Sequence, residues 1–186
     1  MVEDQNNHRA SDIRIDLLLI ANMIPDGARV LDVGCGDGEL LDYLRREKNV
    51  DARGIELSPE GVNESVAKGL SVIQGNAEEE IGHFPDNSFD YVILSQTLQA
   101  MNRPDRILRE LLRVGKRAIV SFPNFGYWRV RLHLALKGRM PVTKSLDLPW
   151  YSTPNIHFCT IRDFVDLCKK LDIRIEKGMA VDSTGS

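Results

Sequence analysis

The 186-residue chain contains no run of about 18 apolar residues, so no membrane-spanning helix is expected. Its first residues, "MVEDQNNHRASD", are too polar for a secretory signal. Cysteine is scarce: Cys35, Cys159 and Cys168 form no C-x-x-C pair, and the four histidines are scattered without metal-ligand spacing. A disulfide framework and a metal centre are therefore not indicated, and reduced thiols in a cytoplasmic protein are expected. An excess of positive charge is also missing, because 24 Lys and Arg face 27 Asp and Glu for a net charge of −3. Nothing in that balance advertises a nucleic-acid or membrane partner. Internal repeats and low-complexity segments are absent.

What is present is an alternation of short apolar runs with longer segments at helical spacing, the mark of an α/β domain whose mostly parallel sheet is covered by helices on both faces. The length suits one domain over residues 1–186. A leading helix is expected over 13–24, with Ile13, Leu17, Ile20 and Ile24 on one face and Pro25 ending it. Strands are expected at 29–33, "ARGIEL", "LSVIQG", "FDYVILS" and "RAIVSF". Between the second and third, Ser58, Pro59 and Gly69 give the cap, first position and terminator of a helix. Another helix is expected at 104–114. The pattern breaks at about 123–155, a stretch rich in Pro, aromatic and basic residues that reads as an excursion over one sheet edge. Inside it, "YWRVRLHLALKG" alternates like a strand, but its length and Gly138 favour a helix. Thr160 and Asp163 then start a helix to Leu171, and "IRIEKGMAV" is expected to form a sixth strand.

The most informative stretch is "VLDVGCGDGELLDYL", Val30 to Leu44, a strand that runs through Gly34, Gly36 and Gly38 into a helix. The dinucleotide fingerprint needs a third glycine three residues after the second, and Glu39 stands there instead. The pattern D-x-G-x-G-x-G resembles the first motif of S-adenosylmethionine-dependent methyltransferases. That cofactor has no pyrophosphate, but its amino-acid end must approach the loop backbone closely, which side chains at Gly34 and Gly36 would block. Asp32 suits its positive charge. Glu56, at the end of strand two, can accept hydrogen bonds from both ribose hydroxyls, each worth roughly 1.5–3 kcal/mol. The resemblance places Asn76 and Ala77 at the adenine, although many members carry Asp at the position of Asn76. Cys35, Leu57 and Ser95 complete the expected cofactor-binding set, for S-adenosylmethionine or S-adenosylhomocysteine. A glycine-rich turn alone is often only a tight connection, and an acid after a strand only a cap; their joint spacing over successive units favours a cofactor.

Evidence for a methyl acceptor is thin. The carboxyl end of strand four reads Ser95-Gln96-Thr97-Leu98, without the Asn/Asp-Pro-Pro-aromatic amine clamp, and a Pro-Cys nucleophile is missing. His157 is the one candidate base, against the plainer role of a histidine that fixes a loop by bonding backbone. Trp128, Trp150 and Tyr151 could line an acceptor pocket or pack the excursion down. Arg129, Arg131, His133, Lys137 and Arg139 form a basic run that could attract an anionic ligand, a membrane or another protein, although its ordinary meaning is a solvated helix face.

Three stretches, "RIDLLLIANMIPDGARVLDVGCGDGELLDYL", "SFPNFGYWRVRLHLALKGRMPVT" and "WYSTPNIHFCT", together resemble the MetW methionine-biosynthesis family from Arg14 to about Ala180. The first is shared by many methyltransferases; the other two are more specific. The resemblance implies a Rossmann-like class I methyltransferase fold and a role in amino-acid biosynthesis beside homoserine O-acyltransferase, the MetX protein. It implies no known acceptor. That fold usually ends in a hairpin of strands six and seven, so its last strand is expected to be missing here or to follow residue 186. Two functions stay open: a partner or regulatory subunit of the acyltransferase, and an active small-molecule methyltransferase.

Overall fold

A computed structural model describes residues 13–142 and 148–181. Five strands, β1 (Arg29–Val33), β2 (Asp51–Glu56), β3 (Ser71–Gln74), β4 (Phe89–Ser95) and β5 (Gly115–Ser121), form one parallel sheet in the order β3-β2-β1-β4-β5. Helices α1 (Ile15–Asn22), α2 (Glu39–Lys48), α3 (Pro59–Ala67), α4 (Ala77–Glu80) and α5 (Pro104–Val114) lie between or before the strands. Helices α6 (Trp128–Lys137) and α7 (Ile161–Lys170) follow β5.

Alternation along β1 divides the core. Leu31 and Val33 pack with Val92, Leu94, Ile107 and Leu111 on one face; Val30 packs with Ile20, Leu40, Leu44 and Ile93 on the other. The central strand is thus apolar on both faces, as a covered parallel sheet requires. Helix α3 begins as its sequence signals, with the Ser58 hydroxyl accepting from the Gly61 amide and Pro59 in the first turn. Helix α7 opens on a full capping box between Thr160 and Asp163, and its Phe164 packs against Phe122 at 4.8 Å between ring centroids. The segment with strand-like alternation is a helix, α6, stopped by Gly138 at φ +60°.

The expected sixth strand at 173–181 is not formed. Ile173 packs against the core and Glu176 meets Arg117 at 3.2 Å, but the segment joins no ladder. A strand needs a partner as well as a pattern. Among the described residues β5 pairs with β4 alone, so its far edge offers unpaired backbone groups without the segment being in register with them.

Candidate cofactor site at the carboxyl edge of the sheet

Because the strands are parallel and run in the order β3-β2-β1-β4-β5, the loops after β1, β2, β3 and β4 open on one edge, and connections leave in opposite directions on either side of β1. Such a switch point forms a crevice at the carboxyl ends of the strands. The loop after β1 folds over Ile55, whose carbonyl accepts from the amides of Gly34 at 2.8 Å and Cys35 at 3.2 Å. Glu56 fixes the next turn: one carboxylate oxygen accepts from the Gly36 amide and the other from the Ser58 amide, both at 2.8 Å. Each carboxylate oxygen keeps a further lone pair, so Glu56 can hold the loop and still accept from a ligand hydroxyl.

The two glycines expected to admit a ligand do different things. Gly36, at φ +57°, has open space where a Cβ would project. At Gly34, φ +79°, a Cβ would stand 2.8 Å from the Thr97 hydroxyl, so the neighbour that forbids a side chain there is the protein itself. Only Gly36 leaves a cradle that a methyl group would fill. Two glycines outside the motif support the loop: a Cβ at Gly61 would lie 2.8 Å from the Gly36 carbonyl, and one at Gly54 would lie 2.5 Å from the Cys35 sulfur. Neither stands in a turn motif, and neither was expected from the sequence.

Asp32 is 3% exposed and its Oδ1 is buried with no hydrogen-bond partner. Burial first, and then the nearby Glu56 charge, push its pKa up to about 7. A buried, unpartnered carboxylate beside a glycine loop fits a ligand that brings its own cationic donor. Cys35 serves the loop through its backbone, while its sulfur is buried and its thiol pushed up to about 12 by burial and by the Asp32 and Glu56 charges. That thiol is no nucleophile.

The remaining predicted positions divide. Leu57, next to Glu56, is 68% exposed, an apolar side chain left uncovered at the crevice. Asn76 caps α4, its side-chain oxygen accepting from the Glu78 amide at 3.0 Å, and Ala77 is buried beneath it. The Ser95 hydroxyl is 3.0 Å from that of Ser121, so its side chain is engaged with the neighbouring strand. Gln96 follows in the left-handed region at φ +58° and donates its amide to the Ser121 carbonyl. A residue so placed marks a tightly determined turn at the end of β4.

His157 makes the contacts of a loop-fixing histidine. Its amide donates to the Gln99 carbonyl at 3.0 Å and its Nε2 lies 3.4 Å from the Asn102 carbonyl oxygen, contacts that fix a loop. The organiser of this region, not expected from the sequence, is Gln99, which is 1% exposed. Its amide donates to the Pro123 carbonyl and the Cys159 sulfur, pinning both ends of the excursion. Of the three aromatics proposed for an acceptor pocket, Trp150 lines a cleft of about 180 Å³ with Gln96, Phe125, Met140, Asn155 and Phe158. Trp128 lies on α6 and Tyr151 is exposed.

This sheet order and glycine crevice are Rossmann-like, and the solved structures that share the fold include class I S-adenosylmethionine-dependent methyltransferases. One solved structure with it is an S-adenosylmethionine-dependent methyltransferase from Thermotoga maritima, 24% identical, with a TM-score of 0.61 over 83% of this chain and 68% of that one. Within the class, residues 14–186 match the model of the methionine biosynthesis protein MetW, and the chain belongs to that family. The bifunctional methionine biosynthesis protein MetXA/MetW of Rhodopirellula baltica is 38% identical over 95% of this chain, which spans only 30% of that protein's length. Ajmaline N-methyltransferase of Rauvolfia serpentina is 31% identical over 91% of the chain, which covers 62% of the enzyme. No described helix is long and apolar enough to cross a membrane.

Proposed function

We propose that this single-domain protein works in the cytoplasm as the S-adenosylmethionine-binding partner, or regulatory subunit, of a homoserine O-acyltransferase (MetX). The observation that carries the proposal is the Rhodopirellula relative, whose name joins MetXA and MetW in one polypeptide. The cofactor residues would be Asp32, the Gly34–Gly38 loop with Cys35, Glu56, Leu57, Asn76, Ala77 and Ser95. The unpaired Asp32 oxygen suits an ammonium group, and the cradle above Gly36 leaves room for an amino-acid moiety against the backbone. Glu56 would accept from ribose hydroxyls, while exposed Leu57 and the capped turn at Asn76 would border the base. S-adenosylmethionine lies downstream of methionine, so holding it beside the acylation of homoserine would permit end-product sensing. Sensing requires unequal binding to partner-competent and incompetent states. The test is calorimetric titration of S-adenosylmethionine and S-adenosylhomocysteine into the protein, followed by homoserine acyl transfer with and without it. A change in acyl-transfer rate supports the proposal; no change with cofactor-loaded protein overturns it.

The second reading, an active small-molecule methyltransferase, is favoured by the neutral aromatic cleft beside Gln96. When bound, the cofactor would supply an electrophilic methyl group for in-line transfer, and the cleft would position the acceptor. In that reading His157→Ala leaves methylation of an identified acceptor unchanged if the residue only fixes its loop, and lowers it at least about 100-fold if it is the base.

A further inference from the structure

Helix α6 is apolar on two sides. Val130 is buried against the body of the protein. On the opposite side Trp128, Leu132 and Leu136, spaced i, i+4, i+8, are 57%, 48% and 75% exposed. At 1.5 Å per residue they make a stripe about 12 Å long. Arg129 and His133 border the stripe on one side and Arg131 on the other, and the Arg129 guanidinium stands 5.3 Å from the centre of the Trp128 ring. A solvated helix face would carry the charges without the leucines. The same excursion exposes Trp150 and Tyr151, paired edge to face.

We infer that the Trp128–Leu132–Leu136 stripe is the surface that docks the homoserine acyltransferase, by entering an apolar groove rimmed with carboxylates. The inference rests on the partnership proposed above and names its surface. The stripe belongs to "SFPNFGYWRVRLHLALKGRMPVT", a stretch within the residues that match the MetW model. In the Rhodopirellula protein the domain is covalently joined to its second function, so a protein surface is at hand to cover the stripe. A second copy is disfavoured, since α6 carries basic residues and no acidic one, and a two-fold interface through this helix would set one basic flank against another. A lipid surface is the other occupant that an apolar stripe flanked by basic residues would suit, and the test below includes it as an outcome. Three side chains supply the centre of an interface, with exposed aromatics of the excursion as its surround.

The test compares wild type with a Leu132→Glu, Leu136→Glu double variant for affinity toward the intact acyltransferase of the same organism. Both positions are exposed and glutamate keeps helix propensity, so the variant folds and binds S-adenosylmethionine as wild type does. The expected result is a complex that weakens at least about 100-fold in the variant and that loosens with added salt in wild type. A variant that binds within about threefold of wild type overturns the surface and leaves the partnership standing. Wild type that fails to bind the acyltransferase, and instead sediments with phosphatidylglycerol vesicles or as a dimer, overturns both.

Discussion

Replacing Asp32 by asparagine separates what a cofactor wants from what the fold tolerates. In the folded protein the carboxyl group is almost fully buried, with Oδ1 unpartnered, and its pKa rises from 3.8 to about 7. At about 1.4 kcal/mol per unit, this amounts to about 4 kcal/mol, an upper bound because water and relaxation soften burial. The raised value means that the native state holds the Asp32 proton more tightly than the unfolded chain. Stability from this group is therefore complete below pH 4, declines as pH rises from 4 to 7, and is lost above 7. The amide introduced by Asp32→Asn has no such titration. Urea denaturation of both proteins should then show a stability difference that moves in favour of Asp32→Asn between pH 5 and pH 8, levelling off above 7. Calorimetry at pH 8 should show S-adenosylmethionine binding at least tenfold weaker in the variant, for want of the charge facing its ammonium group. In wild type that affinity should rise from pH 5 to 8 as Asp32 ionises. A stability difference independent of pH would refute the burial argument, and an unaltered affinity would remove Asp32 from the site.

Glu56→Ala should weaken S-adenosylmethionine at least tenfold in the same titration, since it removes both a ribose acceptor and the anchor of the Gly36 amide. Gly36→Ala should cost roughly 1–2 kcal/mol in denaturation for its left-handed backbone and reduce cofactor affinity at least tenfold by filling the cradle; unchanged affinity would show the space is not the ligand's. Gln99→Ala should lower stability by about 2 kcal/mol and speed proteolysis within 123–159, because the Pro123 carbonyl and Cys159 lose their tether. Equal proteolysis of the two proteins would contradict that role.

The five strands and the helices α2, α3, α5 and α7 were legible because each carries its own signal, such as Ser58 and Pro59 for α3 and Thr160 and Asp163 for α7, whereas the short α4 between β3 and β4 was not expected. Glu56 was singled out from its distance to Gly36 as an acceptor for a ribose, and its hydrogen bond from the Gly36 amide was not foreseen. Failures came where a residue's meaning lies in a distant neighbour. Residues 173–181 have the alternation of a strand, but alternation says nothing of whether a ladder is there to join. At Gly34 the crowding by Thr97, far along the chain, is a reason for glycine that the motif does not show. Gln99 lies just past the Ser95-Gln96-Thr97-Leu98 stretch, and nothing local distinguishes a buried tether from any exposed glutamine. In α6 the strand-like alternation has a physical source, for a helix with two apolar sides and charges between them reads almost the same as a strand.

The most direct measurement is homoserine acyl transfer by the cognate acyltransferase, titrated with S-adenosylmethionine in the presence of wild-type or Glu56→Ala protein. Wild type should change the rate, and S-adenosylmethionine should modulate this change with a midpoint at its binding constant. With Glu56→Ala that midpoint should move at least tenfold higher. A rate indifferent to the protein at every cofactor concentration would contradict the regulatory role.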